Sequence, residues 1–136
     1  MTEPHRVDVF FYGLFMDAER LRAKGINPHN SRIASVRDFQ LIVGNRATLA
    51  PSSGATVYGV LSSLTHSEMD RLYSEPSVSE YRAEAVLALT DAGAVAALCF
   101  NLPTAPQPDE RNSEYADELK ALAERIGLPK MYVDSM

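Results

Sequence analysis

Three carboxylates and one glycine turn carry most of the chemistry this sequence offers. Glu75 stands where a helical pattern ends and a loop begins, and Pro76 follows at once, withdrawing a backbone donor and stiffening the turn. A carboxylate partly buried at such a corner can take a proton as a general base. An exposed loop glutamate is the plainer alternative. Glu84 and Glu80 compete for the same role. In an extended segment they share a face with Arg82, so surface ion pairing is their plain explanation. Tyr81 falls on the opposite face and reads as a core or pocket aromatic. The turn is Tyr12-Gly13-Leu14-Phe15, where an apolar run breaks at one glycine and passes into helical composition. A strand ending this way leaves backbone N–H groups that can hold an anionic or carbonyl oxygen. Taken alone, a strand–turn–helix corner within a core is the plainer reading of this stretch.

Other chemistries lack their residues. His5, His29 and His66 lie in unrelated segments without the close spacing of a zinc site, so no metal is expected. No Gly-x-Ser-x-Gly elbow, P-loop or Gly-x-Gly-x-x-Gly occurs. Cys99, within Val95-Ala96-Ala97-Leu98-Cys99-Phe100, reads as a small buried side chain.

The elements that must position these residues fit one domain, residues 1–136, of ordinary globular composition: 46% hydrophobic and 23% charged. The formal net charge of -5 and the scattering of Lys and Arg argue against nucleic acid or an anionic membrane as partner. Met1-Thr2-Glu3-Pro4-His5-Arg6 does not read as a signal peptide, and no apolar run approaches a membrane span, so a cytoplasmic protein is expected.

Val7 onward reads as a strand, Asp17 to Lys24 as a short helix closed by Gly25, and Asn27 to Ser31 as a loop. Arg32 to Val36 and Asp38 to Val43 read as two extended pieces ended by Gly44-Asn45. Arg46 to Ala50 is a further piece, stopped by Pro51-Ser52-Ser53-Gly54. Thr56 to Ser62 is a strand whose internal Gly59 suggests a bulge or the close approach of another backbone. Thr65 with Glu68 forms a capping box, and Leu64 with Met69 a hydrophobic staple. Tyr81 to Leu89 and Ala94 to Asn101 read as a hairpin, then a Pro-rich loop. The last helix sets Tyr115, Leu119, Leu122 and Ile126 on one face and stops at Gly127-Leu128-Pro129. Six or so strands, with Gly59 and Gly44 at corners, and two or three short helices predict an α+β fold with a curled sheet or small barrel.

Taken in order, these segments resemble the γ-glutamylcyclotransferase-like (AIG2-like) family. The resemblance is carried by Tyr12-Gly13-Leu14-Phe15, Phe39-Gln40-Leu41, Gly44-Asn45, Ala47-Thr48, Val57-Tyr58-Gly59-Val60, Leu72-Tyr73-Ser74-Glu75, Tyr81, Pro106, Tyr115 and Gly127-Leu128-Pro129. It implies a mixed sheet closed into a small barrel with short flanking helices, and a cavity at the end of the Tyr12–Gly13 strand, where the turn's N–H groups hold the γ-glutamyl group of a small molecule. It also implies that one glutamate, matched to Glu75, deprotonates the substrate α-amine. That amine attacks its own γ-carbonyl to give 5-oxoproline and a free amine, with no metal or cofactor. Tyr81 follows in the next strand and Tyr115 helps to close the pocket; the chain is expected as a monomer or homodimer. Leu14 stands where the family's turn has Ser. The corner Leu72 to Pro76 is one residue shorter than the family's Leu-Asp-x-x-Glu-Gly, with Pro for Gly. The alternative is a catalytically silent member that keeps the cavity as a binding or interaction module.

Overall fold

The computed structural model describes residues 5–136, so Met1 to Pro4, part of the stretch weighed above as a signal peptide, lies outside it. Five strands form one mixed sheet: β1 (Arg6–Phe11), β2 (His29–Val43), β3 (Ala47–Thr65), β4 (Arg82–Thr90) and β5 (Gly93–Asn101). Their order is β1-β3-β2-β4-β5, and it closes on itself through a parallel pairing of β1 with β5 at Val9 and Leu98. The other pairings are antiparallel. The helices are α1 (Ala18–Ala23), α2 (His66–Tyr73), α3 (Ser113–Ile126) and α4 (Lys130–Asp134), with a single 3-10 turn at Leu14–Met16. None of the described helices is long and apolar enough to cross a membrane.

Alternation along the strands makes two cores. Phe10, Ala34, Val36, Val57, Leu61, Ala97 and Cys99 point one way and fill the closed sheet, with Tyr115 of α3 and Tyr132 of α4 packed against them. Val9, Phe11, Val60 and Leu64 point outward, where Leu21, Met69, Leu72, Leu119 and Leu122 cover them. The capping box at Thr65 and Glu68 is formed, and the staple residues Leu64 and Met69 are both buried in this outer core. Gly59 is a close approach, as its place within a strand suggested: a Cβ there would lie 2.2 Å from the Phe11 carbonyl oxygen.

The strands are fewer and longer than the sequence's punctuation suggested. Pairing already begins at His29, inside the expected loop, and Arg32–Val36 and Asp38–Val43 belong to one strand. Asp38 holds them together by adopting φ 66°, a bulge at which the register slips but pairing resumes. The opposing Pro51-Ser52-Ser53-Gly54 does not end β3. Pro51 faces Phe39, Thr56 faces Arg37, and the residues between loop out. The Asp38 carboxylate accepts the Gly54 N–H at 3.0 Å across this bulge. The Gly127-Leu128-Pro129 stop is as expected, and α4, unanticipated, starts just beyond it.

Candidate functional site

β1 runs through Tyr12 and Gly13 into the 3-10 turn, and at that junction a cavity of about 280 Å³ opens. Met16 and Asp17 donate to the carbonyls of Gly13 and Leu14, so the Leu14 and Phe15 N–H groups precede the turn's first bond. Tyr115 comes down on this turn from α3. A Cβ on Gly13 would meet its hydroxyl at 2.8 Å, which is the local reason for glycine. The cavity wall is aromatic. The Tyr73 ring stacks on Phe100 with centroids 3.9 Å apart, and the Tyr12 hydroxyl donates to the Phe100 carbonyl at 2.6 Å. The Tyr81 hydroxyl donates to the Ala47 carbonyl.

These tyrosines do not serve as bases. Burial raises the Tyr12 and Tyr73 hydroxyls, with further upward pushes from Cys99 and neighbouring tyrosines. Burial also pushes Tyr81 up to about 12. Tyr115 is raised too, chiefly by burial and partly offset by the Leu14 N–H and Arg20. At neutral pH all are protonated, able to orient a ligand but not to accept its proton.

Glu75 is the carboxylate that lines the cavity; among the described residues no other does. It begins a tight turn in which its carbonyl accepts the Val78 N–H at 3.0 Å, with Pro76 in the position that favours proline's fixed φ. Its two oxygens lie 2.7 and 2.8 Å from the Lys24 ammonium at the end of α1. The cavity thus brings together Glu75, Tyr12, Gly13, Leu14, Phe15, Tyr81 and Tyr115. Glu80 and Glu84 are not part of its lining. Glu80 lies in the turn before β4 rather than in an extended segment and pairs with Arg46 at 3.3 Å. Glu84 accepts from the Asn101 amide at 3.2 Å. Their partners are therefore not Arg82, the pairing expected from spacing alone.

Three cations that sequence reasoning passed over also line the cavity: Arg20, Lys24 and Arg46. The signal for the first two was a basic pair four residues apart, on one face of the helix that leaves the glycine turn.

A family model described as gamma-glutamyl cyclotransferase, AIG2-like, matches residues 9–119. A solved structure named gamma-glutamyl cyclotransferase superposes with a TM-score of 0.76 at 22% identity, over 96% of this chain and 86% of that one. YkqA from Bacillus subtilis gives 0.77 at 21% identity, over 96% of this chain and 52% of its own. An AIG2-like protein from Mus musculus gives 0.59 at 16% identity, over 85% and 94%. At these identities the structural likeness speaks for the fold. No curated protein matches in sequence.

Proposed function

This chain belongs to the gamma-glutamyl cyclotransferase, AIG2-like family, and from that premise we propose that it cyclises a γ-glutamyl amine or γ-glutamyl amino acid to 5-oxoproline. Glu75 is the general base. Its carboxylate takes a proton from the substrate α-ammonium, and the freed amine attacks the γ-carbonyl carbon. A carbon–nitrogen bond forms, and the oxygen, now negative, faces the Leu14 and Phe15 N–H groups. The bond to the leaving nitrogen then breaks. The protons shed by the α-nitrogen pass by way of Glu75 to the departing amine, which leaves as its ammonium form. Intramolecular attack needs chiefly positioning and one proton acceptor, and a small aromatic-walled cavity is suited to both. The partner is a small γ-glutamyl molecule, the setting cytoplasmic, and no step calls on a metal or cofactor.

The observation that carries this reading is that Glu75 lines the cavity beside the Gly13–Leu14 turn. The test is Glu75→Gln. It should lower 5-oxoproline release about 10²–10⁴-fold with thermal unfolding little changed, and equal turnover by both proteins would remove Glu75 as base. A second reading, a binding module without catalysis, is favoured by Leu14, which offers no hydroxyl at the turn. It predicts that the wild type binds γ-glutamyl compounds yet releases no 5-oxoproline.

A further inference from the structure

Three cations line the cavity without a task in the proposed chemistry, and of these Lys24 is the one that touches Glu75. Its ammonium crosses from the end of α1 to meet both Glu75 oxygens, at 2.7 and 2.8 Å. The two side chains are 31% and 37% exposed, so water competes with the pair and its value to stability is small. Yet it sits on the carboxylate that has to receive the substrate's ammonium. From that same position the Lys24 nitrogen lies 5.9 Å from the Phe15 ring centroid, within cation–π distance, so an aromatic face as well as Glu75 borders the ammonium.

We infer that Lys24 and Glu75 together recognise the amino-acid end of the γ-glutamyl group, Glu75 taking the α-ammonium and Lys24 the α-carboxylate. This deepens the cyclotransferase reading and rests on it. An α-amino acid carries its two charges on one carbon, so its receptor needs a cation and a carboxylate side by side. Lys24 and Glu75 already touch before a ligand arrives. Binding then exchanges one ion pair for two, with each protein charge keeping an opposite partner. The other cations of the cavity do not offer this arrangement. Arg46 is held by Glu80 at 3.3 Å and by the Ser77 carbonyl at 3.3 Å, and Arg20 is held by Glu118. Neither of those carboxylates lines the cavity.

The test compares γ-glutamyl-alanine with γ-aminobutyryl-alanine, which lacks only the α-carboxylate and closes to pyrrolidinone. The wild type should prefer the first. Lys24→Met should lower kcat/KM for it about tenfold to hundredfold, mostly through KM, and erase the preference over the second. Lys24→Arg should keep most of that preference. If Lys24→Met slows both compounds by one factor, Lys24 merely holds Glu75 in place and the inference falls. Should the wild type cyclise neither compound, the cyclotransferase reading fails, and calorimetry with 5-oxoproline and pyrrolidinone decides the inference separately. Weaker 5-oxoproline binding by Lys24→Met, with pyrrolidinone unaffected, sustains it. Binding of 5-oxoproline that is equal in both proteins, or absent from both, overturns it.

Discussion

Tyr115 and Gly13 meet across 102 residues of sequence, and the meeting leaves no room for a side chain on the turn. A methyl at Gly13 would sit 2.8 Å from the Tyr115 hydroxyl, with Ala47 at 4.0 Å behind it. Gly13→Ala should therefore destabilise the protein by about 1–3 kcal/mol through overpacking. The double variant Gly13→Ala with Tyr115→Phe should recover most of that loss, because removing the hydroxyl makes the space. Equal unfolding midpoints for the single and double variants would show that the contact is not the cause. At this scale the site was half legible. The glycine turn and the Glu75 corner were visible because each is local: an apolar run broken at Gly13, a carboxylate followed by Pro76. Lys24 was not visible, since a lysine closing a six-residue helix reads as solvated. Its partner lies 51 positions away, where spacing carries no information. Glu80 and Glu84 misled for the same reason, as their partners, Arg46 and Asn101, come from other strands or turns.

Among the elements, β3 does the most to shape the molecule, since it pairs with both β1 and β2 along its 19 residues. Two of its glycines serve different ends. Gly59 lets the Phe11 backbone come close, and a Cβ there would be 2.2 Å from a carbonyl oxygen that strand pairing holds in place. Gly54, at φ 83°, tops the bulge with no atom near its missing Cβ. Alanine at Gly54 meets only backbone strain, about 1–2 kcal/mol, whereas alanine at Gly59 has to move a strand and should cost about 3 kcal/mol or more. Denaturant midpoints of the two variants check the ranking, and a Gly59→Ala protein as stable as Gly54→Ala would refute the close-approach argument. The strands' alternation and the Thr65–Glu68 cap were legible because they are written in period and in neighbouring residues. The fusion of short pieces into β2 and β3 was not. Proline, serine and glycine ordinarily end a strand, and only the paired bulge at Asp38 shows how this one continues.

For the molecule as a whole, the outer core depends on α2 staying against β1 and the chain that follows α1, and Glu68 ties the three together. Its carboxylate accepts the Thr65 N–H at 2.9 Å and the Asn27 N–H at 2.6 Å, with the Arg6 guanidinium 3.5 Å away. Burial alone would raise its pKa. The two N–H groups, the nearby arginine and the Thr65 side chain more than offset that, so the folded value lies below the ordinary 4.5. A folded pKa lower than the unfolded one means that the unfolded chain binds the proton more readily. The stabilisation from Glu68 is therefore complete at neutral pH and is lost as pH falls from about 4.5 through the depressed folded value. Glu68→Gln keeps an oxygen acceptor but not the charge. It should cost roughly 1 kcal/mol at pH 7, the difference between a charged and a neutral hydrogen bond. The gap to wild type should narrow steadily on acidification and close once the wild-type carboxyl is protonated. Unfolding free energies of the two proteins measured between neutral and acid pH check this, and a gap independent of pH would show that shape rather than charge holds α2 in place.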